Sequence, residues 1–480
     1  MRYVALAVIL LSLPLFVAWL QSGQRNRDIA MTLLGAFVFA GGSLQLDAAF
    51  ISWPTWPGTS RGFLISPTDT LALALLFTRK RSEKGLPFIW LMAAYLAVLA
   101  LSATYSRVPM ASAFAVWDFG RVILVFLAIG GELARPAAYP ALLRGFSLGL
   151  IVQAGYVIEQ KLSGVVQASG TMGHQNLLGM MTEIVFLNLL VAMLEGERSW
   201  LVRLGALSGV IIVAAGGSRG AMAMMGAASV LLIVLSLMRS RTSGKVAIAA
   251  TGVAMLLAAT PIAMITLKDR FGELTVTTEE TQREAMERAA RAISADHPFG
   301  VGANLYTTVS NMDGYAARAG VSWFGANLTV PAHNAYLVAR AELGYHGQAV
   351  FALLMLIPMV GGLTHAFRHR RSRSDGWTLG PATALGAAVI HSSFEFNAYT
   401  YAVLLPLSMN IAIVASRIRA ARLGGLAQRA AGGGPEDERS RRKPLVAQLP
   451  RVPSVRIVAP HGDASANSGL GDGTSQEIRR

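Results

Sequence analysis

The segment KDRFGELTVTTEETQREAMERAARAISADHPFGVG, Lys268–Gly302, begins the longest polar interruption between the hydrophobic segments of this chain. The interruption closes with PAHNAYLVARAELGYHG, Pro331–Gly347, in which His333 stands at the edge of the next apolar segment. A connection of this length is too long to be a simple turn, and loops this long usually carry function. We therefore expect the chemistry of the protein to reside in this loop.

Composition decides the class of the segments around the loop. Of the 480 residues, 53% are hydrophobic and only 14% are charged, and the mean hydropathy is +0.47. Apolar runs long enough to cross a bilayer, about 20 residues for about 30 Å of hydrocarbon, recur along almost the whole chain. The sequence therefore predicts an all-α, polytopic integral membrane protein with about 12 or 13 transmembrane helices. The candidate spans are 3–20, 29–46, one ending before Thr78, 86–102, 114–129, 142–158, 177–194, 201–215, 221–237, 246–267, 335–363, 379–394 and 401–418.

Two further features of the composition exclude classes of function. The chain has no cysteine, so disulfides, thiolate metal sites and thiol nucleophiles are excluded. The net charge of +15 would suggest nucleic acid as the partner of a soluble protein, but here the basic residues cluster in short connectors and in the C-terminal tail. Because such connectors set membrane topology, we expect no nucleic-acid partner.

The basic connectors fall at every second gap between the candidate spans and indicate the cytoplasmic side. They are QRNR (24–27), TRKRSEK (78–84), ARPAAYPALLR (134–144), RSRTSGK (239–245) and HAFRHRRSR (365–373). The other gaps, including the loop 268–333, are then periplasmic or extracellular. Thirteen spans would place the termini on opposite sides of the membrane, so the side of the N terminus stays open. Arg417, Arg419 and Arg422, which follow the last span, mark the C terminus as cytoplasmic.

The chain divides into a transmembrane domain, 1–419, whose loop 268–333 is predicted to be periplasmic, and a tail, 420–480. The tail is rich in Gly, Pro, Ser, Arg and Ala and cannot bury enough apolar surface to offset chain entropy. We therefore expect a disordered cytoplasmic tail. Near the other end of the chain, Trp53, Trp56 and Phe63 predict an aromatic belt at the membrane interface.

Three residues with suitable chemistry fall on the predicted extracytoplasmic side. Arg219 lies in GGSRGAM, where one apolar span ends and the next begins. Arg283 lies in ETQREAMERAARAI, whose apolar residues recur at helical spacing and predict an amphipathic helix on the membrane surface. His333 begins the re-entry into the membrane. Two guanidinium groups and one imidazole would suit a lipid-linked phosphate or diphosphate, because arginine offers a fork of donors and histidine takes up a proton near neutral pH.

Each of these residues also has a structural explanation. Arg219 could extend its side chain to the interface from a helix end. Arg283 could belong to the solvated face of its helix, and His333 could be an interfacial or capping residue. The functional interpretation rests on their meeting on one side of the membrane.

Four motifs together resemble the O-antigen ligase-like superfamily of bacterial membrane glycosyltransferases. They are GTMGHQNLLGMM (170–181), GGSRGAM (216–222), TQREAMERAARAISADHPFGVGANLY (281–306) and PAHNAYLVARAELGYHG (331–347). The resemblance covers roughly residues 174–396, and SPTDTLALALLF (66–77) is similar to an early helix of the family. The superfamily includes ligases that attach O-antigen to lipid A-core and polymerases that extend O-antigen or exopolysaccharide repeats.

The resemblance implies a GT-C-like transferase that needs no metal and no other cofactor. Its donor would be a glycan on undecaprenyl diphosphate, used on the periplasmic face of the bacterial inner membrane. Arg219 and Arg283 would bind the donor diphosphate, and His333 would act on the acceptor hydroxyl as a general base or orienting group. Polar residues of the same motifs are candidates for substrate binding, although helix capping or interhelical hydrogen bonding would explain them equally well. They are His174, Asn176, Asn334 and Glu342.

The sequence leaves the function within this class open. A ligase and a polymerase share the donor and the leaving group and differ in the acceptor, which is lipid A-core for one and a second lipid-linked glycan for the other. The motif 331–347 favours the ligase. A polymerase would have a polysaccharide copolymerase as a further partner. A transporter of lipid-linked sugar is the alternative from another class. It predicts inverted repeats, with ionisable residues or Gly/Pro breaks near mid-span in corresponding halves, whereas this sequence shows no internal repeat.

Overall fold

The computed structural model describes residues 2–41, 44, 46–79, 85–254, 257, 275–323, 327–370 and 372–430. The protein is helical, as predicted, with one small hairpin of strands β1 (Ala48–Ser52) and β2 (Gly62–Ile65), which pair antiparallel. The helices, in chain order, are α1 Arg2–Gln21, α2 Gln24–Phe37, α3 Pro67–Phe77, α4 Ile89–Tyr105, α5 Pro109–Glu132, α6 Ala138–Leu162, α7 Gln175–Leu194, α8 Trp200–Gly216, α9 Arg219–Arg239, α10 243–254, α11 Thr275–Asp296, α12 Tyr306–Met312, α13 Tyr315–Arg318, α14 Ala335–Arg368, α15 Arg373–Gly376, α16 Leu379–His391 and α17 Tyr401–Ala430.

Every predicted span coincides with part of a helix, which confirms an all-α polytopic membrane protein. Seven helices of the described ranges are long and apolar enough to cross a bilayer, namely α1, α5, α6, α7, α9, α14 and α17. Three further apolar helices, α3, α4 and α8, are shorter. The second half of the predicted span 246–267 lies outside the described residues. The count of 12 or 13 spans therefore stays a prediction.

Polar caps begin several of these helices at the same end of the bundle. The Nδ1 atom of His174 accepts a hydrogen bond from a backbone N–H at the start of α7, and Ser218 caps α9 in the same way. The side chain of Asn334 accepts from the backbone N–H of Leu337 at the start of α14. The sequence places such residues at helix starts because their side chains satisfy backbone N–H groups that have no partner within the helix.

The amphipathic helix predicted around Arg283 is present as α11, but its environment differs from the prediction. Met286, Ala289, Ala290 and Ile293, which form its apolar face, are buried in the protein core. The helix packs against α14 and α13. The apolar face is therefore covered by protein, and the predicted position on the lipid surface is wrong because the periodicity of a helix does not reveal which apolar surface it faces.

The turn after α11 docks into a break in α14. Gly344 has φ of +75°, a left-handed conformation that interrupts the helical hydrogen bonds. The freed carbonyl groups of Ala341 and Glu342 accept hydrogen bonds from the backbone N–H groups of Val301 and Gly302 at 3.0 and 2.9 Å. This docking explains why HPFGVG and HNAYLVARAELGYHG occur together in the sequence, and it fixes the end of α11 against α14.

The connector with the predicted aromatic belt contains the β1–β2 hairpin and packs against protein. The rings of Trp53 and Phe63 meet the edge of Phe114 with centroids 5.2 and 5.0 Å apart. Trp56 Nε1 donates a hydrogen bond to the carbonyl oxygen of Asn304 at 3.2 Å, which links the hairpin to the turn after α11. Of these aromatic residues, Trp56 therefore contacts the segment that follows α11, whereas Trp53 and Phe63 pack on α5.

The predicted boundary of the disordered tail at residue 420 lies inside α17, which continues to Ala430. The first eleven residues of the predicted tail, 420–430, are therefore helical. This agrees with the helix propensity of their Ala, Arg, Leu and Gln residues, which the prediction of disorder from composition did not take into account. Residues 431–480 lie outside the described part of the chain. So do residues 268–274 at the start of the predicted loop.

Candidate functional site

Glu395 lies at the centre of a cluster of polar side chains at one end of the bundle. Its Oε1 atom accepts hydrogen bonds from Asn176 Nδ2 at 2.6 Å and from Arg283 Nη2 at 3.3 Å. Its Oε2 atom lies 3.3 Å from His333 Nδ1 and accepts a bond from Asn397 Nδ2 at 3.4 Å. One carboxylate thus connects three elements. It contacts the start of α7 through Asn176, the loop helix α11 through Arg283, and the start of α14 through His333. It brings together residues separated by more than 200 positions in the sequence.

The cluster is closed at its base and open at its outer side. The Glu395 side chain is 5% exposed, whereas the His333 side chain is 16% exposed and the Arg283 side chain is 38% exposed. A buried carboxylate with partly exposed basic partners leaves the outward donors of Arg283 and the outer edge of His333 accessible to a ligand. The cluster therefore combines a buried carboxylate with basic groups that solvent can reach.

The charge state of Glu395 follows from its surroundings. Burial acts to raise the pKa of this carboxyl group, but the hydrogen bond to His333 and the nearby charges of His333, Arg283 and His391 lower it by more. The pKa of Glu395 therefore lies below its ordinary value, and the group is a carboxylate at neutral pH. The cluster holds one fixed negative charge beneath two basic side chains.

The carboxylate also determines which nitrogen of His333 carries the proton. A carboxylate oxygen only accepts hydrogen bonds, so the Nδ1 atom that faces Glu395 must be the donor. In the neutral form of the ring, the Nε2 atom keeps its lone pair and can accept a proton. The ring edge contacts Phe396, with centroids 5.8 Å apart, which limits rotation of the imidazole.

His174 lies beside the cluster and has a structural contact of its own. Its Nδ1 atom accepts a hydrogen bond from the backbone N–H of Asn176 at 3.2 Å and so caps α7. Burial lowers the pKa of His174, and the positive charges of His333 and Arg283 lower it further, while Glu395 opposes this shift. His174 is therefore neutral at pH 7, which is the state that capping requires.

Arg219 is the first residue of α9 and is half-buried at the same end of the bundle. The backbone of α9 approaches the segment that carries Glu395 closely at the next residue. A Cβ atom at Gly220 would lie 3.0 Å from the ring of Phe394, the residue before Glu395. The start of α9 is therefore adjacent to the cluster, as the sequence predicted for Arg219.

The remaining two predicted residues, Asn334 and Glu342, form hydrogen bonds with the surrounding backbone. Asn334 caps α14 and also donates from Nδ2 to the carbonyl oxygen of Ser393 at 2.8 Å, which ties the start of α14 to the chain before Glu395. Glu342 does not join the cluster. It is buried in α14 and accepts hydrogen bonds from the backbone N–H groups of Asn304 and Tyr306 at 2.7 and 2.9 Å. Its carboxylate holds the turn after α11.

Sequence reasoning missed Glu395 and the buried pair beneath it. His391 Nδ1 lies 2.8 Å from Glu183 Oε2, and both side chains are fully buried. The available signal for Glu395 was a single carboxylate in the short connector between two apolar segments, SSFEFNAYT (392–400). Polar residues of connectors carry function more often than residues of the packed core, so this connector merited the same attention as the long loop.

A comparison with curated proteins gave no match. A comparison with protein families matched residues 204–352 to the family described as O-antigen ligase. The matched region includes Arg219, Arg283 and His333, whereas His174, Asn176 and Glu395 lie outside it. This match confirms the resemblance to the O-antigen ligase-like superfamily over residues 204–352, which are 149 of the 480 residues.

Proposed function

We propose that this protein is an inner-membrane glycosyltransferase that moves a glycan from undecaprenyl diphosphate to a hydroxyl group of lipid A-core on the periplasmic face. The observation that carries this proposal is the bridge that Glu395 forms between His333 and Arg283. It supplies a base oriented by a carboxylate next to a partly exposed guanidinium group. Transfer from a diphosphate leaving group needs these two elements close together.

The proposed reaction uses His333 as the base. The oxygen of the acceptor hydroxyl attacks the anomeric carbon of the donor, and the bond from that carbon to the diphosphate oxygen breaks. The proton of the hydroxyl passes to His333 Nε2. The resulting imidazolium is stabilised by Glu395, which lies 3.3 Å from Nδ1. The products are the new glycosidic bond and undecaprenyl diphosphate, and the proton later leaves His333 to solvent.

The arginines would stabilise the leaving group. Negative charge grows on the diphosphate as the glycosidic bond breaks, and guanidinium groups placed beforehand stabilise that charge without reorganisation. Arg283 has one contact to Glu395 and is 38% exposed, so further donors face outward. Arg219 at the start of α9 would add a second positive charge beside the positive end of a helix dipole. In this proposal the arginines supply the countercharge, and no divalent cation is required.

The test is complementation of a deletion strain, with surface glycan resolved on a gel and protein levels measured in membranes. The variants are His333→Ala, Arg283→Ala and Arg219→Ala. The control is Arg291→Ala, which removes an exposed arginine on the same helix α11. Within the described residues, its ion pair is with Glu287, four residues earlier. Loss of a base costs about 10²–10⁴-fold in rate, and loss of one charge-stabilising donor costs about 10²–10³-fold.

We expect normal membrane levels for all four variants and loss of glycan for the first three only. Free lipid A-core together with accumulated long lipid-linked polymer would support a ligase. Short surface glycan of a single repeat, without a polymer ladder, would instead assign the polymerase reaction to the same site. Normal glycan from both His333→Ala and Arg283→Ala would show that this is not a transferase site, and transport of lipid-linked sugar would become the hypothesis to pursue.

A further inference from the structure

A second polar region lies at the opposite end of the bundle from Glu395. The end of α7, the start of α8, the end of α9, the start of α10 and the segment around α15 enclose a cavity of about 1230 Å³. Six basic side chains and two carboxylates line it. The basic residues are Arg198, Arg203, Arg239, Lys245, Arg370 and Arg373. The two basic connectors that set topology in the sequence, 239–245 and 365–373, therefore converge on one cavity.

The floor of the cavity is a buried cluster with excess positive charge. Glu195 accepts from Lys245 Nζ at 2.8 Å and lies 3.3 Å from Arg239 Nη1. Both basic side chains are at most 3% exposed. The rest of the Arg239 guanidinium group donates to backbone carbonyl groups, including that of Ala366 at 3.2 Å. One carboxylate thus faces two buried cations, and the floor keeps a net positive charge.

The rim of the cavity adds positive charge that no carboxylate neutralises. Arg198, Arg203 and Arg370 are exposed, and none of them forms an ion pair with another residue of the described ranges. The second lining carboxylate, Glu197, accepts hydrogen bonds from the backbone N–H groups of Arg198 and Ser199 at 3.0 Å. The three rim arginines therefore line the cavity without an ion pair to either lining carboxylate within the described part of the chain.

The surroundings identify a ligand class. Met193, Leu194 and Ile248 contribute apolar surface to the same cavity. Trp200 at the start of α8 is 71% exposed, which is typical of the level of lipid headgroups. We propose that this cavity binds a phosphate-bearing anion, with the phosphate on Arg198, Arg203 and Arg370, and that its natural form is the headgroup of an anionic phospholipid. Basic pockets between helices at a membrane surface suit such headgroups, and guanidinium forks match phosphate oxygens.

This inference is independent of the proposed transfer reaction, because it concerns the other end of the bundle and residues without a part in that reaction. The test variant replaces Arg198, Arg203 and Arg370 by Gln in the full-length protein. These three residues are exposed and do not touch the Glu195 cluster, so the fold is expected to persist. The matched control replaces three exposed arginines at the same end of the bundle but outside the cavity, namely Arg25, Arg144 and Arg422.

Binding is measured with purified protein in phosphatidylcholine nanodiscs that contain increasing phosphatidylglycerol, by the shift of the thermal unfolding midpoint. Lipid retained through purification is identified by mass spectrometry. We expect phosphatidylglycerol to be enriched with the wild-type protein and the control. We expect the apparent affinity for phosphatidylglycerol to be at least about tenfold weaker in the triple Gln variant, because each basic residue near anionic lipid strengthens binding several-fold.

Titration with inorganic phosphate in pure phosphatidylcholine separates the two sources of the ligand. Stabilisation of the wild type by phosphatidylglycerol but not by inorganic phosphate supports a lipid headgroup. Stabilisation by inorganic phosphate that is lost in the triple Gln variant supports the same phosphate site with a soluble ligand. Equal affinity of the wild type and the triple Gln variant for both probes overturns the proposal. An equal loss of affinity in the control variant also overturns it, because binding would then depend on the overall surface charge and not on this cavity.

Discussion

Glu395 and Glu195 occupy opposite ends of the helical bundle, and each faces two basic side chains. Glu395 meets Arg283 and His333, which are partly exposed, whereas Glu195 meets Arg239 and Lys245, which are almost completely buried. The chemical groups are nearly the same at the two ends. The difference lies in the access of solvent and ligands to the basic partners.

This difference separates a candidate reaction site, at Glu395, from a buried ion-pair cluster that stabilises the fold, at Glu195. At Glu195 the hydrogen-bonding capacity of the partners is used within the protein, because Arg239 donates to carbonyl groups of the α14–α15 segment and Lys245 donates to Ser240 Oγ at 2.9 Å. At Glu395 the outward donors of Arg283 remain available. An isosteric change from Glu to Gln at the two positions should therefore have opposite consequences for activity and stability.

Glu395→Gln should produce the largest effect on activity. The amide still accepts from Arg283, but it no longer holds His333 with its proton on Nδ1, and it no longer stabilises the imidazolium. Loss of an orienting carboxylate costs about 10²–10⁴-fold in rate. The measurement is glycan transfer in membranes of a deletion strain, normalised to protein level. Glu284→Gln is the control, since among the described residues its exposed side chain on α11 has a single long ion pair, at 3.9 Å from Arg288.

A Glu395→Gln variant with full activity would show that His333 does not depend on the carboxylate, and the comparison between the two ends would fail. Loss of both activity and protein level would show that Glu395, like Glu195, mainly stabilises the fold.

Glu195→Gln should chiefly reduce stability. It leaves Arg239 and Lys245 buried without a countercharge, and breaking a buried ion pair in this way costs about 3–5 kcal/mol. We expect less protein in membranes and a lower thermal unfolding midpoint in detergent, while activity per folded molecule is unchanged. Adding Lys245→Met removes one of the two stranded charges, so the double variant should recover part of the lost stability. No recovery would show that the cost does not arise from the buried charges.

Much of the fold could be predicted from the sequence, because apolar length and basic connectors report directly on membrane insertion. The amphipathic pattern around Arg283 identified α11, and motif spacing identified the loop that carries the site. The sequence did not reveal that α11 packs on α14. The cause is the break at Gly344, where a left-handed residue frees two carbonyl groups to hold the turn 298–302. A helix-period pattern contains no information about such a break.

The candidate site was predicted in part for a similar reason. His333 and Arg283 were recognised as chemical groups, but the residue that joins them, Glu395, lies 62 positions after His333 and 112 after Arg283. Contacts at such separations depend on how α7, α11, α14 and α16 pack. The same packing assigns Glu342 to the scaffold, although its motif placed it among the substrate-binding candidates.

His174→Asn should have the smallest effect, which appears as a change in the dependence of stability on pH. Burial places the pKa of His174 below its ordinary value of 6.5, so the unfolded chain binds more protons than the folded protein as pH falls below neutral. Stability from this residue is therefore complete above about pH 6.5 and is lost as pH falls through the folded-state pKa. Asparagine is also a good N-cap and does not titrate.

The measurement compares thermal unfolding midpoints of wild type and His174→Asn in detergent between pH 7.5 and 5. At pH 7.5 we expect the two proteins to differ by no more than about 0.5 kcal/mol, because the cap on α7 is kept. At pH 5 the wild type should have lost more stability than the variant, since other titrating groups contribute equally to both. The lowered pKa of Glu395 also makes stability fall with falling pH, but only below this pH range. Its carboxylate contributes stability until pH falls through its folded-state pKa. Parallel curves for the two proteins would show that burial does not lower the pKa of His174, and this end of the bundle would then be more open to solvent than the contacts of Glu395 indicate.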